Sequence, residues 1–180
     1  HFLFNTLANV RELVESGSAQ ASAVLNSLIA YLRAAVPRLH EPATTMKQEI
    51  ELVRAYLEVM HMRMPDRLQV LVQVEDSALN LHCPPMSLLT LVENAVRHGI
   101  DPSEAGGRIE VRVAEENGCC RCQVIDTGIG MQDSFDNIGT GLTNLRERLR
   151  LMFGDAAQLR LTPLVPKGVN AELVFPARRG

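Results

Sequence analysis

Leu91-Val92-Glu93-Asn94-Ala95-Val96-Arg97-His98-Gly99 is the stretch from which the rest of the chain can be read. Pro84-Pro85 lies just upstream and starts a helix predicted to run to about His98. Leu88, Leu91, Val92, Ala95 and Val96 recur at helical spacing and form its core side. Asn94, Arg97 and His98 stand at i, i+3 and i+4 and share another face. An amide, a guanidinium and an imidazole in one stripe suit a metal-bound polyphosphate. The amide oxygen can hold Mg2+, a hard cation, and the guanidinium can meet phosphate oxygens. Taken alone, the stripe also reads as a solvated helix face.

Two glycine-bearing stretches follow. Asp126-Thr127-Gly128-Ile129-Gly130-Met131 comes directly after a strand. Its carboxylate can accept a hydrogen bond from an adenine amine, and its glycines let backbone approach a flat ligand. Alone, it could equally be a strand-ending turn. Gly139-Thr140-Gly141-Leu142-Thr143-Asn144-Leu145 leads into a helix predicted over 142–152. Glycines before a helix leave amide donors free at an end whose dipole favours anions. No Lys-Ser/Thr follows them, so this is not the P-loop of nucleotide triphosphatases. Neither the spacing nor the preceding strand fits a dinucleotide-binding fingerprint.

Between and around these stretches the pattern is strand-like. Leu68, Val70, Val72 and Val74 alternate with Gln69, Leu71, Gln73 and Glu75. Ile109, Val111 and Val113 repeat the pattern, Asn117-Gly118 marks a hairpin turn, and the next strand runs from Cys119 to Asp126. Two further strands are predicted near 158–162 and 170–175. The second half is therefore an α/β sandwich, with helices on one face of a mixed, largely antiparallel sheet.

Upstream, the pattern is helical. Leu3, Leu7, Val10 and Val14, then Leu25, Leu28, Ile29 and Leu32, trace an apolar stripe over 1–36 that Ser16-Gly17-Ser18 bends or breaks. Pro37 and Pro42 bracket a connector. A second helix is predicted over 45–63, with Thr45 and Gln48 as a capping box. A two-helix hairpin cannot bury both faces alone, so pairing with a second copy into a four-helix bundle, a homodimer, is expected. Met64-Pro65-Asp66 breaks the pattern and divides the chain into a helical unit, 1–64, and an α/β unit, 65–180.

Composition excludes some functions. Net charge is -3 and aromatics make up 4%, so neither a basic footprint nor base-stacking surfaces point to nucleic acid. The four cysteines match no zinc spacing and read as reduced, buried thiols. No stretch approaches the roughly 20 apolar residues of a membrane span. The chain starts at His1 without a Met, so it reads as a piece of a longer protein.

The order of the three stretches carries more than any one of them. An Asn-bearing helix, a strand ending in DxGxG, and GxG at a helix start resemble the Bergerat-type ATP site of histidine kinases, gyrases, Hsp90 chaperones and mismatch-repair ATPases. Residues 93–98 resemble the N box, 126–130 the first glycine box and 139–142 the second, with a short lid over 131–138. His1-Phe2-Leu3-Phe4-Asn5-Thr6-Leu7 resembles the H box of LytS/YehU-type sensor histidine kinases. Pro84-Pro85-Met86, Val92-Glu93-Asn94-Ala95 with His98-Gly99, and Glu49-Ile50-Glu51-Leu52-Val53-Arg54-Ala55-Tyr56-Leu57-Glu58 extend that likeness over nearly the whole chain.

The resemblance implies an α+β chain in which a helical dimerisation and phosphoacceptor hairpin precedes a Bergerat-type ATP-binding domain. It implies an ATP-dependent protein-histidine kinase with ATP and Mg2+ as cofactors. His1 would accept the γ-phosphate, Asn94 would bind Mg2+, and Arg97 and His98 would face the phosphates. Asp126 would read adenine, while Gly128, Gly130, Gly139, Thr140, Gly141 and Leu142 would shape the pocket and lid. Glu93 either organises metal or acts as base, or forms a surface ion pair; Asn5 either orients water for phosphatase activity or is a plain helix-surface residue. Phe2 stands where many kinases place an acid after the phosphorylated histidine, and Thr90 where many Bergerat ATPases place a carboxylate. The implied partners are a second copy and a response regulator, by analogy a LytTR-type DNA-binding one. The implied location is the cytoplasmic side of a membrane, with attachment upstream of His1. The competing reading is a degenerate nucleotide-binding scaffold that regulates a partner without phosphotransfer.

Overall fold

The computed structural model describes residues 2–131 and 140–179. The first helical stretch is two helices, α1 (Phe2–Glu15) and α2 (Gln20–Ala35), and the break between them is a full reversal. Gly17, at φ 68°, closes α1 in a Schellman arrangement. There Ser18 N–H donates to Leu13 O at 2.8 Å and Gly17 N–H to Val14 O at 3.0 Å. The reversal brings Phe2 back onto Tyr31 of α2, ring centroids 5.0 Å apart. A bend or break was expected here, and it is a break. The reversal needs this long-range aromatic contact, which periodicity cannot register.

After a 3-10 turn (Val36–His40) and the short strand β1 (Thr44–Thr45), α3 spans Met46–Arg63. Its capping box is as expected: Gln48 N–H donates to Thr45 Oγ1 at 3.3 Å and Thr45 N–H to Gln48 Oε1 at 2.9 Å. β1 pairs antiparallel with β3 (His82–Cys83), which ties the start of α3 to the approach of α4 (Ser87–Ala95).

The main sheet holds β2 (Leu68–Val74), β4 (Gly107–Glu116), β5 (Cys119–Asp126), β6 (Gln158–Pro163) and β7 (Val169–Pro176). Their order is β2-β4-β5-β7-β6, with β2 and β4 parallel and every other pairing antiparallel. Asn117 and Gly118 make the β4–β5 turn with φ of 52° and 76°, as a type I′ hairpin requires. One face of the sheet, with Ile109, Val111, Val113, Cys120, Cys122, Val124, Leu173 and Phe175, is fully covered by helices. Each such apolar side chain contributes roughly 1.5–3 kcal/mol on burial. The other face carries polar pairs such as Arg112 to Glu110 at 2.6 Å and Gln123 to Glu172 at 3.1 Å. The thiols of Cys83, Cys120 and Cys122 are free and buried, and Cys119 is half-buried.

The helical unit and the sheet share one continuous core. Ile50, Leu52, Val53, Leu57 and Met60 of α3 belong to the same buried cluster as Leu88, Leu91 and Val92 of α4 and Val111 of β4. α5 (Thr140–Phe153) completes the layer through Leu142, Leu145 and Leu149. Among the described residues no helix is long and apolar enough to cross a membrane.

Candidate nucleotide site

α4 positions the site. It is nine residues long and has no cap of its own, because Met86 stands at its N-cap with φ 61° and no side-chain acceptor. The first amides of the helix are met instead by Glu49 of α3. Met86 N–H donates to Glu49 Oε1 at 2.7 Å and Leu88 N–H to Oε2 at 3.0 Å. Ser87 Oγ donates to Pro84 O at 2.5 Å, and Arg148 of α5 donates to Pro85 O. Thus α3 and α5 both grip the turn that starts α4.

Glu49 escaped the sequence reading. A signal exists: it falls on the apolar stripe of α3, three residues from both Met46 and Leu52, where a carboxylate needs a reason. It is fully buried, and burial pushes its carboxyl up to about 7, against the pull of the Met86, Leu88 and Leu89 amides and of Arg38.

At its C-terminal end α4 widens into a π turn over Val96–Ile100, closed by Asp101 N–H donating to Val96 O at 2.8 Å. Arg97 and His98 therefore stand on the π turn, one turn beyond Asn94 of α4. The wider turn presents Gly99 to the end of β5. Ile129 N–H donates to Gly99 O at 3.0 Å. A Cβ on Gly99 would fall 2.5 Å from Asp126 Oδ1, and one on Gly128 would fall 2.1 Å from Gly99 O. Bare backbone at both positions is what lets the Asn-bearing helix and the DxGxG loop meet. π turns of this kind often mark functional sites.

Asp126 is buried at the base of this junction. Its Oδ1 accepts Gly128 N–H at 2.9 Å, and burial raises its pKa while the Gly128 and Val169 amides oppose the rise. Gly168, which sequence reasoning passed over, backs the same residue. With φ 110°, a Cβ there would lie 2.1 Å from Asp126 O. Gly130 takes φ 86° at the loop exit. The first turn of α5 closes on α4 from the side: a Cβ on Gly141 would meet Thr90 Cγ2 at 3.5 Å, one turn before Asn94. Three segments separate in sequence thus converge on α4.

Within this frame Asn94 and Glu93 are half-buried, while Arg97 and His98 are exposed. Burial raises the Glu93 carboxyl; burial and then the Arg97 charge lower His98, favouring its neutral imidazole. Thr140 and Gly141 are exposed and Leu142 is buried. Asn5 is exposed on α1. Phe2 packs on Tyr31 and on Tyr56 of α3, at 4.8 Å from the latter. Burial and then the Glu93 carboxylate raise both phenols, Tyr31 to about 12. The start of α1 and the Glu93 side of α4 therefore flank one tyrosine pair. His1, Gly139 and the remainder of the expected lid, 132–138, lie outside the described residues.

The residues offer an amide on α4, a guanidinium and an imidazole on the π turn, and a buried carboxylate against Gly99 of that turn. Such a set can hold a flat base at one end and a metal-bound anion at the other. The chain is similar to known proteins over most of its length. Residues 1–68 match the histidine kinase family, and residues 85–179 match the histidine kinase-, DNA gyrase B-, and HSP90-like ATPase family. The sensor protein LytS of Oceanobacillus iheyensis is 27% identical over 192 residues, covering 99% of this chain and 33% of LytS. The sensor histidine kinase YesM of Bacillus subtilis is 30% identical over 183 residues, covering 99% of this chain and 32% of YesM. The chain thus spans about a third of the length of these curated relatives. The histidine kinase domain of the Erythrobacter litoralis EL346 blue-light activated histidine kinase shares the fold. Its TM-score is 0.56 at 19% identity, over 98% of this chain and 88% of that one.

Proposed function

We propose, on the premise that the chain belongs to the histidine kinase-, DNA gyrase B-, and HSP90-like ATPase family, that it is the catalytic region of a bacterial two-component sensor histidine kinase. Residues 1–64 form the dimerisation and phosphoacceptor unit and 65–180 the ATP-binding unit. The kinase binds Mg-ATP, phosphorylates His1 and passes the phosphate to an aspartate of a response regulator. The observation that carries this reading is the junction of Gly99, Asp126 and Gly128, which sets the Asn94 helix against the DxGxG loop.

The residues fit the roles. Asp126 accepts from the adenine amine, and Gly128 and Gly130 line the base. Arg97 and His98 meet phosphate oxygens, with Gly139, Thr140, Gly141 and Leu142 closing over them from the start of α5. Mg2+ requires only one or two protein oxygens when phosphates and waters supply the rest, and the Asn94 amide oxygen provides one. When bound, Mg2+ neutralises charge on the β- and γ-phosphates. The unprotonated nitrogen of a neutral His1 imidazole attacks the γ-phosphorus as the phosphorus bond to the bridging oxygen breaks; ADP leaves, and the proton on the other ring nitrogen passes to a base or to solvent. Phe2 packs against the tyrosines that face Glu93, which supports a route between the start of α1 and the nucleotide. Glu93 serves as base or metal organiser, and Asn5 orients water in the phosphatase direction.

Exposed apolar side chains on α1 and α2, with Phe4 77% exposed beside Leu3, Leu7, Leu25 and Ile29, support pairing with a second copy. The regulator is of the LytTR type, and attachment to the membrane lies upstream of His1, with this region on its cytoplasmic side. The test is labelling of the full-length protein with γ-labelled ATP and Mg2+. Acid-labile, base-stable label that disappears in His1→Gln is expected. Wild-type protein with no affinity for ATP or ADP overturns the proposal.

A further inference from the structure

Buried carboxylates of one structural unit seldom serve the backbone of another without consequence. Glu49 belongs to α3 of the helical unit, yet both of its oxygens are spent on amides that begin α4 in the ATP-binding unit. We propose that Glu49 is a positioning residue for the nucleotide site: it fixes α4 to α3, so that movement of the helical unit shifts the helix end that carries Asn94. This rests on the proposed function and adds a route by which the helical unit controls that site.

Three observations support it. First, α4 has no other side-chain cap, so without Glu49 its first-turn amides lose their acceptor inside the protein. An amide buried without an acceptor is costly, so the helix end must follow the carboxylate. Second, Asn94 lies eight residues beyond Met86, about 12 Å along a helix, which is too short to bend and transmits axial displacement as a rod. Third, neighbouring contacts make the turn a shared anchor. β1 before α3 pairs with β3 before α4, and Arg148, on the helix that follows residues 132–139, holds Pro85 O. Among the described residues Arg38 also acts on the Glu49 carboxylate, and the buried thiols of Cys83 and Cys122 feel its charge. A shift of α3 therefore reaches both α4 and the start of α5.

A metal ligand is sensitive to this kind of displacement, whereas the base-reading residue is not on α4 at all. The experiment uses the full-length protein and its Glu49→Gln and Glu49→Ala variants, with ADP as probe. ADP affinity is measured without metal and across a Mg2+ titration. Residues that orient a metal ligand typically change metal affinity about 10-fold or more, and Glu49 does not touch Asn94 but would orient it through α4. The expected result is a rise of about tenfold in the Mg2+ concentration for half-maximal effect, larger than any fall in metal-free ADP affinity, since Arg97 and His98 stand on the same helix end. Glu49→Gln keeps the shape and one acceptor oxygen, so it decides the matter if Glu49→Ala does not fold. Amide exchange at Met86 and Leu88 should also quicken in that variant. A folded Glu49→Gln protein with unchanged Mg2+ dependence overturns the proposal. So does an equal loss of metal-free and metal-dependent affinity, which would mark a structural role only. Wild-type protein that binds no ADP at all would instead strike the proposed function itself, and that arm is read without any variant.

Discussion

Replacing Glu49 with Gln should change how stability depends on pH, and the size of the change follows from its surroundings. The carboxyl is fully enclosed between α3 and α4, and burial lifts it from 4.5 to about 7 despite the opposing amides and Arg38. A folded-state value above the unfolded one means that the folded protein holds the proton more tightly. The stabilising contribution is therefore complete below about 4.5 and is lost as pH rises through about 7. At ~1.36 kcal/mol per pH unit, the loss between pH 5.5 and 8 comes to about 2 kcal/mol. The thiol of Cys83 is itself pushed upward by burial and by Glu49, so it stays neutral over this range and does not confuse the result. Urea unfolding of wild type and Glu49→Gln at several pH values gives the measurement. The wild-type advantage, taken as a difference so that Asp126 and Glu93 cancel, should shrink by about 2 kcal/mol from pH 5.5 to 8. A difference that stays level, or grows toward alkaline pH, refutes the reasoning.

Other perturbations probe the junction and the core. Gly128→Ala drives a methyl group into Gly99 O and should cost about 1–3 kcal/mol, seen as a lower melting temperature together with weaker ADP binding. Asn94→Ala should leave stability within about 0.5 kcal/mol while abolishing the Mg2+ dependence of nucleotide binding, followed by calorimetry with and without metal. Leu91→Ala empties a fully buried position on the core side of α4 and should cost about 2–5 kcal/mol by denaturant titration. Thr45→Ala removes the acceptor for Gln48 N–H and should cost about 0.5–2 kcal/mol in the same assay.

Local chemistry was the most legible part of the sequence. Thr45 with Gln48 announced the start of α3, Asn117-Gly118 announced the hairpin, and the alternation of 68–74 announced β2, because each signal acts within a few residues. Alternation says nothing about partners, so the parallel pairing of β2 with β4 had to come from the structure. Gly17 was read as a bend or break, not as a full reversal, because nothing near it reports that Phe2 will land on Tyr31 and Tyr56. The π turn after Ala95 was equally hidden. It lets Gly99 meet Asp126 and Gly128; the latter two were recognised, Gly99 only as the end of its stretch, and the mutual contact not at all. Glu49 and Gly168 were missed for one reason: each serves backbone more than thirty residues away in the chain.

The placement of α3 has a practical consequence for anyone building chimeras. Covalently, the chain changes character at Met64-Pro65-Asp66, which invites a graft there. Yet Ile50, Leu52, Val53, Leu57 and Met60 form a wall of the same interior that holds α4 and the sheet. A catalytic module spliced at residue 65 onto a foreign hairpin would inherit a mismatched wall, and one expressed alone would lose it. Swaps that keep α3 and β1 with the catalytic module, joined in the 3-10 turn that follows α2, leave that interior intact and are the ones that should yield soluble hybrids.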